Sequence, residues 1–253
     1  MVILTVILIA MGAPMDTEPQ TAGMGAEPWL QLMTWLSPSF PVGAYTYSHG
    51  LEYAVETGVV TDEPSLENWV RTIAELGAGR VDAALLAAAW RAAEARDAGA
   101  LQEALDVARA FRGAAELALE ATAQGRAFWD AMAAAHPAPD ALAWVAAETD
   151  AARDGPPYPF AVGAAAALAG APLPSVATAY LHAFAANIIS AGVRLIPLGQ
   201  TAGVRILASV NAEAAAWAAA AIAEPLEEVG SAAFFVELCS IKHETQHTRL
   251  FRS

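Results

Sequence analysis

"RVDAALLAAAWRAAEARD", residues 80–97, decides the fold class. Alanine, leucine and glutamate fill it, and these are the residues that lose least on entering a helix. The period-2 alternation of β-branched and aromatic residues that marks strands is scarce here and along the chain. After a break at Asp97 and Gly99 the pattern resumes in "ALQEALDVARAF", residues 100–111, as a second alanine-rich helix.

Working outward, the same reading extends in both directions. Upstream, "TDEPSLENWVRTIAELGAG" is a helix opened by Asp62 or Ser65 as cap, with Pro64 in its first turn. "YSHGLEYAVETG" is a shorter one ending near Gly58. In "WLQLMTWLS" the residues Trp29, Leu32, Met33 and Leu36 have the spacing of one helix face, which predicts a first core helix. "SPSFPVGAY", residues 37–45, is a structured loop: Pro38 and Pro41 forbid helix, and Gly43 permits a backbone conformation that other residues resist. Downstream, "GAAELALEATAQGRAFWDAMAAA" ends before Pro137, "PDALAWVAAE" is a short helix and "RDGPPYPF" a loop. "AVGAAAALAGAPL" has the length of a buried helix. "PSVATAYLHAFAANIISAGVRLI" is a long helix that Pro197 ends or kinks, and the stretch to Pro225 is another. With no internal repeat and no linker, the expectation is all-α: one compact, bundle-like domain of about ten helices over residues 29–253.

Composition narrows the function classes. The chain has 253 residues, 56% of them apolar, enough for a sizeable core. Twenty-seven acidic against 13 basic residues give a formal charge of −14, which argues against nucleic acid as a partner. The single cysteine, Cys239, excludes an internal disulfide or a Cys-x-x-Cys site and fits a reducing, cytoplasmic setting. Residues 1–28, with the apolar run "MVILTVILIAMGAP", are expected to be a flexible lead-in, an over-extended start or a weakly membrane-associated leader, since the run falls short of the roughly 20 residues that span a bilayer.

The chemical motif is "HETQH", His243 to His247. On a helix, H-E-x-x-H sets two imidazoles one turn apart beside a candidate base, Glu244. A catalytic zinc needs a third protein ligand, and in the extended form of the motif Leu250 stands where glycine is wanted and Ser253 where the third histidine belongs. An upstream ligand such as His49 or His182 keeps a zinc peptidase open as an alternative. On the same helical row Cys239, His243 and His247, at i, i+4 and i+8, are candidates for transient metal contact. His49, His136 and His182 otherwise read as surface or satisfied core residues. Nucleotide-binding and hydrolase signatures are absent from the sequence, so the residues by themselves describe a helical protein that binds other proteins.

Three stretches carry a resemblance to a known family. "LSPSFPVGAYTYSHGLEYAVETG" (Leu36 to Gly58), "SAGVRLIPLGQTAGVRIL" (Ser190 to Leu207) and "KHETQHTRLFRS" (Lys242 to Ser253), with "EATAQGRAF" and "YPFAVGAAAALAG" between them, resemble the urease accessory protein UreF family in the right order from about Trp29 onward. The positions that match are Ser37, Pro38, Pro41, Gly43, Tyr47, Ser48, Gly50 and Glu52 in the first motif, Arg194, Pro197, Gly199 and Gln200 in the second, and Arg249, Leu250, Phe251, Arg252 and Ser253 in the tail. Tyr45, Cys239 and His247 depart from the family's usual residues, and a tyrosine is common at the last of these. The resemblance implies an all-α, non-catalytic, dimeric scaffold without a cofactor of its own. It would dock UreD (also called UreH), recruit the nickel-carrying GTPase UreG and so bring nickel to apo-urease, using a tail from about residue 240. That tail, with Phe251 between Arg249 and Arg252, has the residue mix of an interface hot spot and is expected to expose its apolar residues when unbound.

Overall fold

The computed structural model describes residues 26–111, 113–135, 139–149 and 155–253. The helices are α1 (Ala26–Trp35), α2 (Leu51–Glu56), α3 (Glu63–Glu75), α4 (Ala78–Ala95), α5 (Ala98–Ala110), α6 (Ala115–Ala135), α7 (Pro139–Glu148), α8 (Tyr158–Leu168), α9 (Leu173–Leu195), α10 (Gln200–Ala223) and α11 (Phe234–His243), with short 3-10 turns at Ala44–Thr46 and Leu226–Glu228. Among the described residues there is no strand. The protein is an all-α single domain, and the helices inferred above stand within a few residues of their expected places.

The local chemistry explains the boundaries. Asp62 caps α3: its side chain accepts from the Ser65 backbone N–H at 3.0 Å while the Ser65 hydroxyl accepts from the Asp62 N–H, with Pro64 in the first turn. Asp97 is no mere break; it is the N-cap of α5, accepting from the Ala100 N–H at 3.0 Å, and Gly99 lies inside that helix. Pro197, two residues beyond the last residue of α9, ends that helix without kinking it.

The helix of the opening stretch, α4, is the centre of the molecule. It packs on α8 and α10 and also touches α3, α5 and α9. Two apolar clusters meet at it. One joins α4 to α5, α6, α7 and α8 through residues such as Leu86, Leu105, Phe128 and Phe160, and the other joins α2, α3, α9, α10 and α11 through Leu51, Leu66, Ile188 and Trp217. Alanine at Ala83, Ala84, Ala87 and Ala89 lets neighbouring helices approach α4 from several sides.

Helix α1 faces the core differently from its expected face. Leu32 and Trp35 are buried, Trp35 meeting Phe128 edge-on at 6.1 Å, whereas Trp29 and Met33 are exposed. Of the expected stripe Leu32 and Leu36 pack on the core, and Trp35, outside that stripe, is buried in place of Trp29 and Met33. Helices α9 and α10 are long and apolar enough to cross a membrane by length and composition, but they pack on each other and contribute Ile188, Ile189, Ile206 and Trp217 to the core. The flexible lead-in expected over residues 1–28 lies outside the described residues for 1–25, and α1 already begins at Ala26.

Candidate functional site: a polar socket for residues 244–253

Helix α11 ends at His243, and the ten residues after it turn back against α2 and α6. The turn out of the 3-10 segment prepares their seat. Gly43 has φ +74°, as its place in the loop required. His49 and Gly50 are both left-handed, at φ +52° and +76°, so the chain reverses into α2. At Gly50 the need is double: a Cβ there would stand 2.5 Å from the Ser240 backbone nitrogen, and α11 crosses α2 at this contact.

Glu52, in the first turn of α2, holds the returning chain. Its carboxylate accepts from the backbone N–H of Leu250 at 2.6 Å and of Phe251 at 2.9 Å. Ser48 donates its backbone N–H, at 2.7 Å, and its hydroxyl to the Ser253 carbonyl oxygen, and the Arg252 N–H donates to Thr46 at 2.8 Å. From α6, Glu120 accepts the Ser253 hydroxyl at 2.8 Å, the Gln124 amide at 2.8 Å and lies 3.0 Å from His49 Nε2. Phe251 fills an apolar seat, with the Arg194 guanidinium 4.4 Å over its ring, and Arg194 also donates to the Tyr45 carbonyl at 2.7 Å. Partial burial lowers the Arg194 pKa from its ordinary value.

His243 closes the socket from inside. It is fully buried, with Nδ1 2.7 Å from Glu116 and Nε2 3.2 Å from Glu52. Both ring nitrogens face carboxylates. Glu52 and Glu116 stand in the first turns of α2 and α6, where a helix N-terminus favours a carboxylate, and His243 stands in the last turn of α11. Glu116 also pairs with Arg249.

This geometry corrects the metal reading. Because α11 stops at His243, Cys239, His243 and His247 do not form one helical row, and His247 is exposed in the turn beyond. Glu244, the candidate base, accepts from the Ala115 N–H at 2.7 Å and so caps α6. Cys239 is buried, which pushes its thiol up to about 11, far from the thiolate a metal or nucleophile role needs. His182 is exposed on α9 and bonded to Asn211 at 2.9 Å; His136 lies outside the described residues. No group of three or more His, Cys, Asp or Glu among the described residues is placed to hold a metal ion. The expectation of an exposed aromatic tail is corrected too: Phe251 and Ser253 are buried, while Leu250 and the Arg252 side chain are exposed. Main-chain hydrogen bonds to Glu52, Ser48 and Thr46 let a short segment hold its place with one apolar anchor.

Of the residues singled out in the sequence, Ser48, Gly50, Glu52, Arg194, Arg249, Leu250, Phe251, Arg252 and Ser253 come together here. Tyr47 is buried beside them. Ser37 and Pro38 line a neighbouring cavity of about 240 Å³ whose wall also includes His49, Asp82 and Glu120. Pro41 is exposed in the same loop, Pro197 and Gly199 lie in the exposed turn between α9 and α10, and Gln200 opens α10, all away from the socket's hydrogen bonds. Glu116, Glu120 and Gln124 were missed, and His49, read as an upstream zinc ligand or a surface or satisfied core residue, is buried beside Glu120. Glu116, Glu120 and Gln124 repeat every fourth residue, a polar row that on a surface helix is simply the wet face; nothing local marks it as buried.

The motifs that converge on this socket agree with the comparisons. The UreF family model matches residues 60–211. The chain is 46% identical over 238 residues to the urease accessory protein UreF of Granulibacter bethesdensis, covering 94% of this chain and 99% of that one. It is 47% identical to UreF of Rhodopseudomonas palustris strain BisB5, covering 95% of each, and 48% identical to UreF of Azorhizobium caulinodans, covering 92% of this chain and 99% of the relative. With the family model spanning more than half of the chain and these relatives matched nearly end to end, this helical protein belongs to the UreF family of urease accessory proteins.

Proposed function

We propose that this chain is a non-catalytic scaffold of urease maturation, acting in the cytoplasm as a homodimer that docks UreD/UreH, recruits the GTPase UreG and so delivers nickel to apo-urease. Nickel is cargo in this reading, and the chain carries no cofactor of its own. One observation supports it most: segments distant in sequence, residues 46–52, 116–124, 194 and 243–253, converge on a single socket whose outer side presents Tyr45, Leu250 and Arg252. A seat built from polar side chains around backbone groups fixes a surface for recognition. The acidic composition and the buried faces of α9 and α10 favour protein partners over nucleic acid or membrane.

The test is urease activity and nickel content in cells carrying the cognate urease genes with this chain deleted, intact or bearing Glu244→Gln. Activity and nickel are expected to be lost on deletion and retained in Glu244→Gln. Activity indifferent to deletion would overturn the scaffold reading, and loss in Glu244→Gln with a stable fold would bring back a catalytic glutamate.

A further inference from the structure

A groove of about 340 Å³ lies between α3 and the start of α11, away from the socket. Trp69 of α3 lines it, and that residue is only 4% exposed, packed in the second apolar cluster. Its indole Nε1 is buried and meets no hydrogen-bond acceptor among the described residues. A buried N–H without an acceptor forfeits its hydrogen bond to water and gains none in return, and such groups are few in folded proteins. This donor therefore marks a place where an acceptor brought from outside the chain is stabilised.

A second set of donors stands at the same groove. The first turn of α11, Phe234 to Val236, lines it, and no side chain caps that helix at Ala233. The first amide to bond back is that of Glu237, which donates to the Ala233 carbonyl at 3.1 Å, so the amides of Phe234, Phe235 and Val236 have no acceptor within the helix. The helix start is firmly placed: the Ala232 N–H donates to the Leu76 carbonyl at the end of α3 at 2.8 Å, and Ala233 is buried. A helix N-terminus carries partial positive charge and favours an anion.

The walls say which anion. The chain has 27 acidic residues, yet none of them lines this groove, and no lysine or arginine does either. Ser65, which lines it, is bonded to Asp62 in the cap of α3. Uncharged donors alone can offset one negative charge, whereas a dianion such as phosphate calls for a basic side chain beside it. Val59, Val60, Phe234 and Phe235 give the groove apolar sides that an inorganic ion would not use.

We propose that this groove binds a small monocarboxylic acid. The carboxylate accepts from the Trp69 indole N–H and the first-turn amides of α11, and a short aliphatic or aromatic body lies against Val59, Val60 and Phe235. The site is separate from the socket and does not depend on the scaffold reading.

The test titrates the full, ¹⁵N-labelled chain with sodium butyrate at constant ionic strength, following by NMR the Trp69 indole N–H and the amides of Phe234, Phe235 and Val236. A saturable shift of these four signals is expected, with the neutral isostere butyramide binding about tenfold more weakly or worse and inorganic phosphate failing to displace butyrate. Trp69→Phe keeps an apolar ring and removes the donor, so Kd read at the three amides is expected to rise about tenfold or more with unchanged circular dichroism. Shifts that do not saturate, equal binding of butyramide, or displacement by phosphate would each overturn the proposal, as would an unchanged Kd in folded Trp69→Phe. Should that variant fail to fold, the comparison of butyrate with butyramide on the wild type decides alone.

Discussion

Replacing Glu52 with alanine removes the side chain that holds the backbone of the returning segment and also faces His243. The carboxylate accepts from the Leu250 and Phe251 amides at 2.6 and 2.9 Å and faces His243 Nε2 at 3.2 Å. A hydrogen bond to a charged group contributes about 1.5–3 kcal/mol net, and this carboxylate accepts two from the segment. What remains on the segment is the burial of Phe251, about 1.5–3 kcal/mol, the Arg194 stack and the contacts to Ser48, Thr46 and Glu116. The loss is therefore comparable to the whole remaining hold. Residues 249–253 should open locally while the two apolar clusters around α4 stay intact. At 1.4 kcal/mol per tenfold, a cost of about 3–6 kcal/mol raises amide exchange at Leu250 and Phe251 by roughly two to four orders of magnitude. Hydrogen exchange by mass spectrometry on the full chain reads this directly, with circular dichroism as the check that helices persist. Glu56→Ala, one turn on and bonded to Gln246 at the surface, is the control and should leave these amides as they are. Exchange at Leu250 and Phe251 within tenfold of wild type in Glu52→Ala would refute the claim that this carboxylate holds the segment.

Other perturbations separate seat from surface. Gly50→Ala strains a left-handed residue and drives a methyl into the α11 backbone, so a loss of about 2–4 kcal/mol in urea denaturation is expected; a loss below 1 kcal/mol would show that α11 does not sit this close. Arg252→Ala, whose side chain is exposed, should leave melting unchanged while weakening recruitment of the GTPase; unchanged assembly and GTP hydrolysis would remove it from the interface. Hydrogen bonds from Ser209 and Arg71 hold the Glu67 carboxyl below its ordinary range. A depressed carboxyl stabilises the fold above the unfolded value near 4.3 and ceases to as pH falls through the folded one, so Glu67→Gln should cost up to about 1 kcal/mol at pH 7 and nothing at pH 2. Burial lifts the Cys239 thiol to about 11, so its contribution is complete below the unfolded value near 8.5 and lost as pH rises through 11. Native protein should accordingly resist thiol alkylation at pH 8, and alkylation as fast as that of the unfolded chain would contradict the burial.

The fold was legible because its signals are local. Capping at Asp62, the proline after α9 and the alanine-rich run of α4 each act within a few residues, and they place helices whatever those helices later pack against. The face of α1 was less legible, since an amphipathic stripe wider than the contact cannot say which of Trp29, Leu32, Met33, Trp35 and Leu36 will be covered. At the socket, Gly43 was legible from its loop, whereas Gly50 and Glu52 were found through the family's motif, and their reasons appear only in three dimensions, where Gly50 meets α11 and Glu52 meets residues nearly two hundred positions away.

The histidine motif shows how a local pattern misleads when its geometry is not fulfilled. H-E-x-x-H acquires its zinc chemistry from a continuous helix that aligns the two imidazoles. Here the helix stops at the first histidine, and each residue then serves the fold: His243 bridges Glu52 and Glu116, Glu244 caps α6, Gln246 bonds Glu56, and His247 faces solvent. The same termination turns the chain back so that Phe251 reaches its seat under Arg194. Had α11 run on for another turn, the metal row would align and the segment could not reach Ser48 and Glu120. Metal geometry and the socket are therefore alternatives for one stretch of chain, and the cap from Glu244 together with the clamp on His243 stabilises the socket.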